Sequence, residues 1–458
     1  MPEMEQRLFG TDGIRGVAGQ FPLDRETVEL IGHSLVTHLT NSLNRKPQLV
    51  IGRDTRESGP EIELAVVRGA LSAGARVRSA GVITTPGVAY VTRTTPFDAG
   101  IVISASHNPF RDNGIKIFAR SGKKLADDME QKIEADISKQ IGSGISVDDV
   151  QGGWLGDQAK NERAYREEYI SYLINEIGRG LDLTELKIGV DCANGAASEI
   201  APRVFEKLGA EVKVIFAKPD GRNINEGCGS LHLEGLQELV TGQGLDLGIA
   251  FDGDADRALF VDATGSLVDG DATLFILASD FKKRGVLAGS RVVATVMSNI
   301  GLELALRERA IELDRAQVGD RYVLEELLTC GAKLGGEQSG HIIFPDISLA
   351  GDGIITAIEL LRAVRESGVS LSELASGMPR YPQILVNVRV RSKPPFDTLP
   401  AVKAAADRIE RELQGRGRLL LRYSGTEHLA RVMIEGQEEK KINEQANELA
   451  EMIRQSIG

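Results

Sequence analysis

The sequence predicts an α/β protein of three related α/β domains with mixed, largely parallel sheets plus a smaller C-terminal α+β domain. Three observations lead there. The chain has 458 residues with 42% apolar content, enough for about three domains at ~150 residues each. One strand–helix–strand plan recurs three times, and the pattern changes after SGMPRYPQ at 376–383. The first copy, 47–81, runs from the β-branched strand QLVIGR through a polar turn into a helical stretch, then Gly-Ala and a second strand. The second, ELKIGVDCANGAASEIAPRVFEKLGAEVKVIF, does the same from Glu185 to Phe216. The third is less regular: it opens with SRVVATVMSNIGLELALRERA and closes with LLTCGAKL, read as a strand, ahead of GGEQSGH. Such units build parallel sheets. Beyond them, ILVNVRV, a helix near 398–414, RLLLRYSG, LARVMIEG and a final helix read as β-α-β-β-α. The expected domains are 1–155, 160–257, 258–372 and 380–458.

Sixty-six acidic against 54 basic residues give a net charge of -12, which disfavours nucleic acid or an anionic membrane as partner. An anionic substrate must then be attracted locally. MPEMEQRLFG has no basic-then-apolar leader pattern, and no apolar run nears the ~18 residues of a membrane helix. The cytoplasm is the expected location. Cys192, Cys228 and Cys330 are odd in number and far apart, so they read as reduced thiols rather than as a disulfide frame or zinc site.

Chemistry gathers where strands end. After GLDLGIAF comes DGDADRAL, with Asp252, Asp254 and Asp256 at alternate positions. Carboxylates so close repel unless a hard cation sits among them, and oxygen ligands suit magnesium or calcium. An EF-hand is excluded, because Arg257 stands where its glycine is required and Ala263 where its glutamate is. A solvated acidic turn would leave the same trace. In RYSGTEHLAR, at 422–431, Arg422, Ser424, Thr426 and Arg431 with the backbone about Gly425 offer many donors and few acceptors, which suits a phosphate; a capped turn is the plainer alternative. Glu337, Gln338, Ser339 and His341 of GGEQSGH mix acceptors and donors as sugar hydroxyls require. In ISASHNPFRDNGIKIF, at 103–118, serines follow an apolar strand, where open α/β sheets place ligands. Neither G-x-S-x-G nor G-x-x-x-x-G-K-[ST] occurs, which removes the hydrolase elbow and the Walker site. A phosphoryl-carrying serine beside the aspartate-bound metal remains, with Lys116 placed to neutralise charge.

FGTDGIRG at 9–16, ISASHNPFRDNGIKIF, DGDADR, GGEQSGH and RYSGTEHLARVMIEG occur in an order and at spacings that resemble the α-D-phosphohexomutase superfamily over nearly the whole chain. GTDGIRG, VGDRYV at 318–323 and GEQSGH look most like its bacterial phosphoglucosamine mutase branch. The resemblance implies four domains around a central cleft, each giving one loop. It implies Ser106, not Ser104, as the phosphoserine, and Asp252, Asp254 and Asp256 with the Ser106 phosphate as ligands of one Mg2+ per chain. Arg15, His107, Lys116 and His341 would surround the transferring phosphoryl group. Arg257, Arg321, Glu337, Gln338 and Ser339 would meet the substrate, and Arg422, Ser424, Gly425, Thr426 and Arg431 would clamp its distal phosphate.

The implied reaction interconverts glucosamine 6-phosphate and glucosamine 1-phosphate through a hexosamine 1,6-bisphosphate, intermediate and activator, and supplies UDP-N-acetylglucosamine for cell-wall synthesis. Phosphomannomutase or phosphoglucomutase activity is the nearest alternative. The expected partner is a small phosphosugar; monomer and homodimer both stay open, as do a kinase and autophosphorylation as the source of the first phosphate. The chain departs from the family pattern at Ala255, where glycine is usual, and at Tyr423 and His428, which flank the clamp where small residues and proline are usual. Two readings from other classes are an enzyme phosphorylated on Asp252 and a silent sugar-phosphate sensor.

Overall fold

The apolar run Ala99–Ile103, buried at every position, is an inner strand in the computed structural model, which describes residues 8–10, 12–141, 158–424 and 428–458. It pairs in parallel with Gln48–Arg53, which pairs in parallel with Arg76–Val82. On its other side it turns back into the antiparallel strand Asp112–Ala119, followed by Gly13–Val17 and Phe9–Gly10. The helices Arg25–Leu43 and Gly59–Ser72 share one core with this sheet, in which Val28, Leu35 and Val66 pack with Leu49, Ile101 and Ile115. Burying each such side chain stabilises the fold by ~1.5–3 kcal/mol before the cost of ordering the chain.

The second sheet repeats the arrangement. Lys187–Asp191 lies between Glu211–Ile215 and Leu247–Phe251, parallel to both, and Leu247–Phe251 turns back into antiparallel Ala258–Asp262. In the third, Arg291–Thr295 runs parallel to Gly335–Gly336, which turns back into Ile342–Ile343. The sheets are therefore mixed. Each has a parallel core reached by crossovers and a hairpin return, because only antiparallel neighbours can be joined by a short turn. Three motif-bearing loops, 104–111, 252–257 and 337–341, occupy that same place, where a parallel core strand turns back.

LLTCGAKL is not a strand. Leu327–Cys330 closes the helix Asp320–Cys330, whose buried face is Val323, Leu324 and Leu327. That helical spacing outweighs the short apolar run, and Gly331, left-handed at φ 73°, ends the helix. The sheet is re-entered only at Gly335.

The chain forms two compact units: Met1–Val296 with Asp314–Ala375, and Met297–Leu313 with Ser376–Gly458. Within the second, three antiparallel strands are ordered Gln383–Arg389, Leu429–Glu435, Arg418–Tyr423. Their core packs Val388, Val432 and Ile434 with Val402 and Ile409 of the helix Pro400–Leu413 and Leu449 of the helix Glu439–Ile457. The helix Ile300–Glu308 also belongs to this unit. Asn299 caps it, accepting from Gly301 N at 2.9 Å, and donates to the Tyr381 carbonyl at 2.9 Å. Among the described residues, no helix is long and apolar enough to cross a membrane.

Candidate active site

The buried strand Ala99–Ile103 delivers Ser104, whose hydroxyl donates to Asp54 Oδ2 at 2.7 Å and accepts from the Ser106 amide at 2.9 Å. That local bond bends the chain and puts Ser106 in the left-handed region at φ 52°. For a residue other than glycine this conformation costs of order 1 kcal/mol or more and persists only where the surroundings impose it. Here it turns the Ser106 hydroxyl onto Asp252 Oδ2 at 2.5 Å, with His107 Nδ1 at 3.2 Å on the other side.

Asp252 ends the buried strand Leu247–Phe251. The Ala255 amide donates to the Asp252 carbonyl at 3.0 Å, closing a turn that draws the three aspartates together. Gly253 is required at its position, since a Cβ there would lie 2.6 Å from the Ser106 carbonyl oxygen. One oxygen from each of Asp252, Asp254 and Asp256 lies within 4.8 Å of the others. Asp254 Oδ2 accepts from Thr85 Oγ1 at 2.6 Å and from Lys116 Nζ at 2.9 Å, and Asp256 Oδ2 from Lys116 Nζ at 3.2 Å. The Oδ1 atoms of Asp254 and Asp256 are buried without a hydrogen-bond partner. Burial first, then the charges of Asp256 and Asp254, push the Asp252 carboxyl well above the ordinary range. Three buried carboxylates that bring one oxygen each so close together, two of them with an oxygen that no hydrogen bond satisfies, fit a hard divalent cation.

Cations ring this centre. Lys116, on the strand Asp112–Ala119 opposite Val102, is 1% exposed and also reaches Asp12 at 3.2 Å. Burial alone would lower its pKa, but Asp12, Asp254 and Asp256 raise it well above the ordinary value, so it stays an ammonium. Lys124 joins Asp12 at 2.5 Å to Asp320 at 2.6 Å, and Arg15 pairs with Asp12. His341, between Asp256 and Asp320 at 3.6 Å from each, is lowered by burial and raised more by those carboxylates and Glu337, to about 9. His107 is pulled to about 4 by burial and by Arg257 and Arg15. A cavity of about 460 Å³ opens among Arg15, His107, Arg257, Glu337 and His341.

Thus the expected residues Arg15, Ser106, His107, Lys116, Asp252, Asp254, Asp256, Arg257, Glu337 and His341 meet in one place. Three other expected residues, all in the same unit, do not line that cavity. Gln338 Nε2 lies 3.4 Å from Asp269, the cap of the helix Gly270–Lys283, because the hairpin turn directs it there. Ser339 reaches Glu337 at 3.5 Å. Arg321 is engaged by Asp127, by Glu325 at 3.4 Å and by Glu130 at 3.6 Å, since the helix that carries it faces acidic side chains of Asp127–Gln140. In the second unit, Arg422 and Arg431 are register partners on adjacent strands, and burial and Arg431 lower the Arg422 pKa. Lys393 Nζ donates to the Ser424 carbonyl at 2.7 Å. Tyr423 stacks on Phe396 with centroids 4.3 Å apart and donates to the Pro394 carbonyl at 2.7 Å. Gly425 and Thr426 lie outside the described residues.

The residues missed are Asp12, Thr85, Lys124, Asp320 and Lys393. Asp12 and Asp320 sit inside GTDGIRG and VGDRYV, so acidic residues in those quoted motifs were the available signal. For Thr85, Lys124 and Lys393 the sequence carries none, because each is brought in by a neighbouring element.

Residues 6–142, 167–265, 269–381 and 385–452 match, in that order, the phosphoglucomutase/phosphomannomutase alpha/beta/alpha domains I, II and III and the C-terminal domain. The chain is similar to the phosphoglucosamine mutases of Koribacter versatilis, at 49% identity over 100% of this chain and 99% of that one, and of Solibacter usitatus, at 48% over 99% and 100%. Its fold resembles the crystal structure of a phosphoglucomutase/phosphomannomutase family protein from Burkholderia thailandensis, with a TM-score of 0.81, 24% identity and coverage of 99% and 98% of the two chains.

Proposed function

The chain belongs to the phosphoglucomutase/phosphomannomutase family, and we propose that it is a phosphohexomutase of the isomerase class that interconverts glucosamine 6-phosphate and glucosamine 1-phosphate. Full-length likeness to phosphoglucosamine mutases supports the substrate. The convergence of the Ser106 hydroxyl on the Asp252, Asp254, Asp256 centre carries the chemistry.

In this reading Ser106 carries the phosphoryl group. A free hydroxyl of the hexosamine monophosphate attacks phosphorus; its P–O bond forms as the bond to Ser106 Oγ breaks, and the hydroxyl proton leaves to a base. A 1,6-bisphosphate results. The sugar reorients, and the other phosphoryl group returns to Ser106 with the proton transfers reversed. His107 Nδ1, 3.2 Å from Ser106 Oγ, is in reach to give or take a proton at that oxygen. Lys116, paired with three carboxylates, is a fixed positive charge beside the transferring group. Asp252, Asp254 and Asp256 would hold a divalent cation, magnesium by the chemistry of its oxygen ligands, which when bound neutralises charge on the phosphoryl oxygens.

Arg15, Arg257 and Glu337 would orient the sugar phosphate in the cavity, and Arg422, Ser424 and Arg431 would bind the phosphate that is not reacting. Coupled assays with glucosamine, glucose and mannose phosphates test the reading. It expects kcat/KM to be highest on glucosamine phosphate; a preference for mannose or glucose phosphate would overturn the substrate, and inactivity on all three the reaction.

A further inference from the structure

Among the described residues Arg56 is the largest fully buried side chain, 0% exposed beyond its backbone. A guanidinium has five N–H donors, and all five are used. Nε donates to Asp54 Oδ2 at 2.9 Å. Nη1 donates to the carbonyls of Pro109 and, at 3.0 Å, Asp112. Nη2 donates to the carbonyls of Ser106 at 2.9 Å and Asn108 at 2.8 Å. Asp54 also accepts from Ser104, the residue that bends the chain into Ser106. A buried charge is tolerated only when so fully satisfied, and here four of its partners are main-chain oxygens, three in the loop 104–111 and one on Asp112, which opens the next strand.

Asn225, from the second sheet's connections, reaches the same oxygens. Its Nδ2 donates to the Ser106 carbonyl at 2.9 Å and to the Asn108 carbonyl at 3.1 Å. The residue is itself left-handed, at φ 58°, and its amide donates to the Ala193 carbonyl at 2.9 Å. Two carbonyls of the serine loop are thus each gripped twice, by Arg56 of their own domain and by Asn225 of the next.

We infer that Arg56 and Asn225 are positioning residues that clamp the Ser106 carbonyl, so that the serine hydroxyl is aimed at the acidic centre only when the first and second domains are docked. The inference rests on the reading of Ser106 as phosphoryl carrier. Rotating the peptide after Ser106 would swing its hydroxyl away from Asp252, and a misplacement of about 1 Å can cost ~10²-fold in rate. Neither residue lines the cavity, so the clamp acts on turnover rather than on sugar binding.

The test is Asn225→Gly, which keeps the left-handed backbone and deletes both donors, beside Asn225→Asp, which keeps the shape and sets a carboxylate against two carbonyls. Full-length wild type and variants are assayed on glucosamine 6-phosphate, with thermal midpoints and the phosphate on Ser106 read by peptide mass. The expected result is kcat lower by ~10–100-fold in Asn225→Gly, lower still in Asn225→Asp, with KM within about threefold and Asn225→Gly still cooperatively folded. Turnover within twofold of wild type in Asn225→Gly would overturn the clamp, as would a loss of rate matched by loss of folded protein. Wild-type protein that never carries phosphate on Ser106 would overturn the carrier reading instead, whatever the Asn225 variants do.

Discussion

Ser106 Oγ lies 2.5 Å from Asp252 Oδ2, although 146 residues separate them in the chain. Two hairpin turns of different sheets meet there, each at the end of a fully buried parallel strand. The hydroxyl and the carboxylate cluster are therefore placed by rigid elements, as a group-transfer site requires.

Removing divalent ions should abolish turnover. The three aspartates are buried and like-charged, and a cation that stabilises transferring charge is worth several kcal/mol, or ~10³-fold in rate. Titrating Mg2+ into chelated protein should restore activity and raise the thermal midpoint together. Asp252→Asn, which removes one of the crowded carboxylates, should raise the midpoint of the chelated protein and remove the response to Mg2+. A midpoint indifferent to Mg2+ in the wild type would contradict the metal site.

Arg422 and Arg431 face one another across two strands with like charge, and an anion between such groups relieves the repulsion. Arg422→Ala should raise KM for glucosamine 6-phosphate by ~10-fold or more, about 1.4 kcal/mol of phosphate binding. An unchanged KM would remove the pair from the substrate site.

Ala255 is left-handed at φ 56° and fully buried. Ala255→Gly relieves backbone strain of about 1 kcal/mol but gives up a buried methyl and frees the unfolded chain, each worth a similar amount. Stability within ~1 kcal/mol and turnover within twofold are expected. Ala255→Val, β-branched where only compact residues fit, should lose more than ~2 kcal/mol and most activity. Equal midpoints for the valine and glycine variants would refute this.

Asp191 is buried and accepts the amides of Ala193 and Gly229 at 2.8 Å each. Burial raises its pKa and the two amides lower it, leaving it at about 6 against an ordinary 3.8. The folded state thus holds this proton more tightly, so the contribution to stability is fully present below pH 3.8 and is lost as pH rises through 6. The stability of wild type relative to Asp191→Asn should fall by about 2–3 kcal/mol between pH 4 and 7. Denaturation curves of both proteins across that range decide it; a constant difference would be contrary.

Much of this was legible in the chain. Continuous apolar runs ending in polar, Gly-rich loops mark the strands. Ser106, the three aspartates and His341 stand out because their chemistry gathers in the loops at such ends, and Lys116 stands out as a cation within a buried strand. What could not be read is what long-range packing decides. LLTC is four apolar or small residues, compatible with strand or helix until Val323 and Leu324 are seen to share its face. Arg321 and Gln338 lie in the right motifs, yet neighbouring carboxylates direct them elsewhere. Arg56 reads as one more loop arginine, because its five acceptors are mostly carbonyls, which leave no trace in side-chain sequence.

The most direct measurement is the site of the transferred group. Protein incubated with isotopically labelled hexosamine 1,6-bisphosphate, then digested and mapped, should carry label on the peptide holding Ser106, resistant to hydroxylamine, and Ser106→Ala should take up no label and lose at least ~10³-fold in turnover. Label on Asp252 that hydroxylamine removes, or full turnover by Ser106→Ala, would contradict the account.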